Sequence, residues 1–242
     1  MRKITINLAA VAAFCIVVAS PALVSSSCAT PQTEQEDTTI IREDLGITAL
    51  KYSSPEVPSS IEFCGKVIDL SRFDRHERMD RELLAFTYMH STSLQMLKKA
   101  NRYFPIVEPI LKENGIPDDF KYLMVIESNM NPTARSSAGA AGLWQFMQGT
   151  GRDYRLEVNN NVDERYHIEK ATRAACRYLK DAYAKYKDWV AVAASYNAGQ
   201  ARIASQLAKQ DVDDSLDLQL VEETARYVYR ILAAKQLFNA PT

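Results

Sequence analysis

From Phe73 onward apolar residues recur at helical spacing with almost no break, and this periodicity limits the fold more than any other feature of the chain. In "HIEKATRAACRYLKDAYAKYK", Ala171, Ala175, Tyr178, Leu179, Ala182 and Tyr186 fall on one stripe. In "LVEETARYVYRILAAKQLF", Val221, Thr224, Ala225, Val228, Ile231 and Leu232 share another. Upstream, "DRHERMDRELLAFTYMHSTSLQMLKKANRYF" predicts one long helix or two abutting ones. Pro105 is expected to open the next helix, and the Gly and Pro of "ENGIP" to close it. Asp118 and Asp119 suit the positive end of a following helix. "DWVAVAASYNAG" reads as a helix stopped by Gly199. Strand signals are nearly absent; only "IEFCGKVIDL" (61–70) alternates enough for a short extended segment packed on the domain. An all-α domain over 61–242 is the expectation.

The remaining 60 residues have a different character. "MRK" followed by the apolar "ITINLAAVAAFCIVVAS" and the small residues around "SSSCA" describes an export signal over 1–28, with an uncleaved membrane anchor as the alternative. Cys28 is a candidate lipid-attachment cysteine, which would fix the chain to the outer membrane; plain cleavage near Ser27 or Ala29 is the other reading. Residues 29–60 are polar, end in Pro and Ser, and read as a tether. Loss of Arg2 and Lys3 with the signal takes the formal charge from −1 to −3. A balance this mild argues against nucleic acid as a partner. Cys64 and Cys176 remain in the domain, either as an oxidised pair or, as preferred, as separate buried thiols. His76, His90 and His167 are scattered, and no Cys or His spacing suits a metal.

The chemistry concentrates in "KYLMVIESNMNPTARSSAGAAGLWQFM" (121–147), which holds a single acidic residue, Glu127. Phe120, Leu123, Met124 and Glu127 stand at i, i+3, i+4 and i+7, so the carboxylate projects from the stripe that should face the core. Desolvation there favours the neutral acid, which near pH 7 is able to protonate a leaving-group oxygen. The competing reading is a Glu at a helix end paired with a cation such as Arg135. Beyond it, Pro132 ends the helix, Gly139 and Gly142 allow close backbone approach, and Thr133, Ser136 and Ser137 offer hydroxyls. "LWQFM" is expected to begin a new helix, with Trp144 and Met147 as core residues or as parts of a carbohydrate subsite.

Two further places answer the first. Tyr196 and Asn197 bring a phenol and an amide to a helix end closed by Gly199. The alternative puts Tyr196 in the core and makes Asn197 a cap. In "VEETARYV", Glu223 and Tyr227 lie at i, i+4 on the less apolar face, where a surface pair is the plain reading.

Taken in order, "ES…NPTARSSAGAAGLWQFM…TG", "AASYNAG" and "EETARYV" resemble the soluble lytic transglycosylase (SLT) domain, a lysozyme-like helical fold of the goose-type lysozyme kind. Within the family the chain is most like the branch of membrane-bound lytic murein transglycosylase D, and "DDFKYLMVIES" and "VDERYHIEKATRAACRYL" are similar to its exported Bacteroidetes-type members. The resemblance implies that Glu127 is the single catalytic acid/base. It implies substrate-binding roles for Ser136, Gln145, Met147, Tyr196, Asn197 and Glu223. It also implies peptidoglycan glycan strands as the substrate, a periplasmic location, and no metal or organic cofactor. Ser195 stands where the family usually has Ala, and Tyr229 where Pro is common. A hydrolytic goose-type muramidase, with Asp153, Glu157 or Asp163 as second acid, and a non-catalytic glycan-binding protein are the rival readings.

Overall fold

The computed structural model describes residues 55–212 and 214–239. The expected signal, Cys28 and most of the tether lie outside them. Among the described residues no helix is long and apolar enough to cross a membrane.

The alternating segment forms a two-stranded hairpin, β1 (Ser60–Phe63) and β2 (Lys66–Asp69), with Ile61 opposite Ile68 and Phe63 opposite Lys66. The turn residues Cys64 and Gly65 have φ of 53° and 85°, the two positive values that a tight hairpin turn requires. Asp119 holds Cys64 there by accepting its backbone N–H at 2.7 Å. Ile61, Phe63, Ile68 and Leu70 point into the core, while Val67 on the other face is exposed. Cys64 and Cys176 are both free thiols, and burial pushes the Cys176 thiol up to about 11.

Eight α-helices follow among the described residues: α1 (Phe73–Tyr88), α2 (His90–Glu113), α3 (Phe120–Ser128), α4 (Gln148–Asp153), α5 (Ile168–Tyr186), α6 (Trp189–Ala198), α7 (Gln200–Lys209) and α8 (Glu222–Asn239). The long upstream segment is therefore two abutting helices. Pro105 opens nothing: it lies inside α2, as does Pro109. Both prolines are exposed, so the backbone carbonyls they leave unpaired face solvent and the helix continues. "LWQFM" does not begin a helix either; α4 starts one residue later and Leu143–Met147 form turns and an isolated bridge between Ala141 and Phe146. Tyr229, at the position where Pro is common in the family, is buried midway along an unbroken α8.

α3 sits at the centre. Phe120, Tyr122–Ile126 and Ser128 are all buried, so the helix is enclosed nearly all round rather than along one stripe. α2 runs antiparallel to it, since Lys121 meets Glu108 at 2.7 Å while Lys99 Nζ donates to the Asn129 carbonyl at 3.3 Å. α1 runs antiparallel to α8: Arg81 meets Glu222 at 3.0 Å, while Arg78, earlier in α1, lies over the ring of Tyr229, later in α8, at 6.0 Å. The small residues Ala171, Ala174, Ala175 and Ala182 of α5 and Ala191, Ala193 and Ala194 of α6 are buried and let these helices approach closely.

Candidate active site

Glu127 is the penultimate residue of α3, where the helix meets the start of α8. Asn129 and Met130 take left-handed conformations directly after it (φ 48° and 55°) and turn the chain away, so the carboxylate stands at the mouth of the core. Its partner is Tyr227 of α8, whose hydroxyl donates a short hydrogen bond to Oε1. Among the described residues no cation lies within ion-pair distance of Glu127, and the Arg135 pairing is not formed. Burial pushes the Glu127 carboxyl up to about 7; the Tyr227 hydrogen bond and the charge of Arg230 pull it down, and the charge of Glu223 adds to the rise. The group is thus divided between acid and carboxylate near neutral pH, the state that proton transfer in both directions needs.

The loop after α3 is tightly organised. Gly142 (φ 78°) approaches Arg165 so closely that a Cβ would stand 1.9 Å from the Arg165 carbonyl oxygen. Arg165 is buried, donates to the Gly139 and Phe146 carbonyls (2.8 and 3.0 Å), and is neutralised by Asp163 at 2.7 Å. Ser136 Oγ accepts the Ala140 N–H at 3.0 Å. Gln145, itself at φ 48°, turns its amide nitrogen onto the Gly142 and Ala134 carbonyls at 2.7 and 3.2 Å. Both side chains therefore hold the loop in shape. Trp144 is fully buried with its indole N–H on Thr172 Oγ1 at 2.9 Å, so it belongs to the core, whereas Met147 is exposed.

Tyr196 lies between this loop and Glu127. Its hydroxyl donates to the Trp144 carbonyl at 2.8 Å, and its ring packs edge-on against Tyr178. Burial first, and the Glu127 charge second, push the Tyr196 phenol well above its ordinary range. Asn197 Oδ1 accepts the Thr224 hydroxyl at 2.9 Å, which links α6 to α8 and leaves the Asn197 amide N–H groups without an acceptor among the described residues. Glu223 is exposed at the start of α8. Glu127, Tyr196, Asn197 and Glu223 thus converge where α3, α6 and α8 meet, with Gln145 and Ser136 inside the loop alongside.

Tyr227 was not predicted as a site residue. It was assigned to the less apolar face of its helix with Glu223, yet it is buried with Thr224, Val228 and Ile231. Its spacing from Thr224, i+3, carries the signal. A depression of about 830 Å³ lined by Pro105, Pro109, Ile116 and Trp189 also includes Asp118, and so lies at the other end of α3 from Glu127.

Residues 105–217 match the sequence model of the transglycosylase SLT domain. This chain is an SLT-family protein. Membrane-bound lytic murein transglycosylase D of Escherichia coli (strain K12) is 30% identical over 168 residues, which make up 67% of this chain and 36% of that protein. Membrane-bound lytic murein transglycosylase C of Haemophilus ducreyi is 30% identical over 150 residues, 56% of this chain and 40% of that protein. The chain thus spans well under half the length of these relatives. The solved structure of lytic transglycosylase Slt from Pseudomonas aeruginosa superposes with a TM-score of 0.48 at 23% identity, covering 58% of this chain and 25% of that one.

Proposed function

We propose that this SLT protein is a lytic transglycosylase that cleaves the β-1,4 bond between N-acetylmuramic acid and N-acetylglucosamine in peptidoglycan. The observation that carries the reading is the carboxyl of Glu127, half-buried, unpaired with any cation among the described residues and pushed up to about 7. As the neutral acid, Glu127 gives its proton to the glycosidic oxygen and the bond to C1 breaks. As the carboxylate, it then takes the proton of the muramic acid C6 hydroxyl while that oxygen attacks C1. The product is a 1,6-anhydro ring, no water is consumed, and Glu127 ends protonated as it began. The substrate's own acetamido group stabilises the cationic centre between the two steps. Tyr227 holds the carboxyl in one rotamer, Tyr196 fixes the loop wall through the Trp144 carbonyl, and Asn197 presents amide donors to the sugar. Met147 and Glu223, both exposed, are assigned the outer contacts to the strand.

The charge environment supports this over hydrolysis. Ordinary glycosidases set a second carboxylate about 5–9.5 Å from the first. Asp163 is committed to Arg165 at 2.7 Å, and none of Asp153, Glu157 and Asp163 is among the charges that act on Glu127. The acid that perturbs Glu127 is the exposed Glu223. Export to the periplasm follows from the substrate, with Cys28 as the proposed lipid anchor. Mass spectrometry of muropeptides released from purified sacculi tests the reading. Anhydro-muropeptides are expected; reducing ends would assign a muramidase, and intact sacculi a binding protein.

A further inference from the structure

The ends of two helices overhang the site. α1 is pinned to the first turn of α8 by Arg81–Glu222, then continues seven residues to Tyr88, a reach of about 10 Å at about 1.5 Å per residue. α2 is pinned to the C-terminal end of α3 by Lys99 on the Asn129 carbonyl, and its first turns, from His90, project beyond that point by about 13 Å. Because α1 is antiparallel to α8 and α2 antiparallel to α3, both overhangs pass the same end of the domain. That end holds Glu127, Glu223 and Tyr227. The corner where α1 and α2 meet is latched: Ser93, buried, donates its hydroxyl to the Phe86 carbonyl at 2.7 Å, and the Ser93 N–H bonds to the Met89 carbonyl at 2.9 Å.

This rigid corner carries apolar side chains outward. Tyr88, Met89 and Leu94 are 60%, 43% and 59% exposed. Val221, expected on the core stripe, precedes α8 and is 57% exposed beside the Arg81–Glu222 pair. A run of exposed apolar groups on a fixed ridge marks a contact surface. Its place at the same end of the domain as Glu127 names the occupant. A pyranose ring presents a face of C–H groups that stacks on an aromatic ring, and the acetamido and lactyl methyls of peptidoglycan suit Met and Leu. We infer that the α1–α2 corner, through Tyr88, Met89 and Leu94, is an outer binding wall that grips the glycan strand beyond the sugars being cleaved. The corner lies outside residues 105–217, the part matched by the family model. The inference rests on the glycan-cleaving reading and extends that groove along the strand.

The test compares the wild-type chain with Tyr88→Ala/Leu94→Ala on peptide-free glycan strands of graded length, reading kcat and KM separately. Both positions are exposed, so the melting temperature should hold. The expected result is a KM about five- to ten-fold higher on long strands, a penalty that grows with strand length, and a kcat that changes little. A double variant with the wild-type dependence on strand length would overturn the corner assignment. So would binding to phosphatidylglycerol vesicles that the substitutions abolish while glycan kinetics stay unchanged, since that would make the corner a membrane contact. A wild-type chain that cleaves no strand of any length would instead overturn the transglycosylase reading itself.

Discussion

Two regions of this molecule take carboxylates out of water, and they treat them in opposite ways. Around the hairpin each charge is matched. Lys235, deep in α8, donates to the Glu62 carbonyl, to the Glu62 carboxylate and to Asp119. Burial works against its charge, but the hydrogen bonds it donates to Asp119 and Glu62 outweigh this and hold the ammonium above its ordinary range. Arg75 likewise meets Asp214 and Asp217 at 2.8 and 3.0 Å. At the junction of α3 and α8, Glu127 receives a phenol in place of a cation. Matched charges give a structure that stays ionised at any ordinary pH. The unmatched one gives a group that releases and regains a proton near neutrality, at a cost in stability.

The sharpest way to break this contrast is Glu127→Gln. Gln keeps the shape and accepts the Tyr227 hydroxyl but transfers no proton, so turnover should fall about 10²–10⁴-fold with strand binding retained. Wild-type release of anhydro-muropeptides would end the assignment. Stability should move the other way. Between 4.5 and about 7 the folded chain keeps a proton that the unfolded chain has released, so the stability of the wild type falls as pH rises through that window. Above it the full cost of the buried charge is present, at most about 3 kcal/mol. Glu127→Gln should therefore melt higher than the wild type at pH 8 and close to it at pH 4. Equal melting temperatures at pH 8 would mean that the carboxylate is not penalised.

Lys235→Met probes the matched region. It leaves Asp119 without its cation beside the hairpin, and loss of one partner of a buried pair costs about 3–5 kcal/mol. The lower end applies because Glu62 is half-exposed. Denaturant unfolding should show that loss, while turnover per folded molecule stays within about two-fold. A large loss of turnover with unchanged stability would dissolve the distinction between the two regions.

Much of this was legible in the sequence because helical periodicity reports burial directly. Glu127 is recognisable as a carboxyl at the end of an apolar helix, although α3 is buried nearly all round rather than along the Phe120–Leu123–Met124 stripe; the α5 stripe is buried at Ala171, Ala175, Tyr178, Leu179 and Ala182. The misreadings have local causes. Pro105 punctuates a sequence, but on an exposed helical face the carbonyl it displaces turns to water and the helix continues. "LWQFM" looks helical by composition, yet Gln145 at φ 48° and its amide bonds to the loop carbonyls stop a helix there. α7 carries little signal in the sequence because Gly199 ends α6 and at once precedes another helix whose sole buried residue is Ile203. The i+3 spacing of Tyr227 from Thr224 reports its burial, but its pairing with Glu127 depends on where α8 lies relative to α3, which spacing within one helix does not carry.

The smallest expected effect is the most discriminating. Tyr227→Phe keeps the ring that packs in the core and removes only the hydroxyl that bonds Glu127. A hydrogen bond to the half-ionised carboxyl contributes about 1.5 kcal/mol, so turnover should fall roughly ten-fold, less than for Glu127→Gln. The bond favours the carboxylate, and without it the Glu127 carboxyl should rise further above about 7. The alkaline limb of the kcat/KM profile, where the general acid is lost, should then move to higher pH. A Tyr that merely fills space would leave that limb in place. Coupling to a residue on another helix is thus read from the direction of a titration, and a limb that moved to lower pH would show that Tyr227 holds the acid form and not the carboxylate.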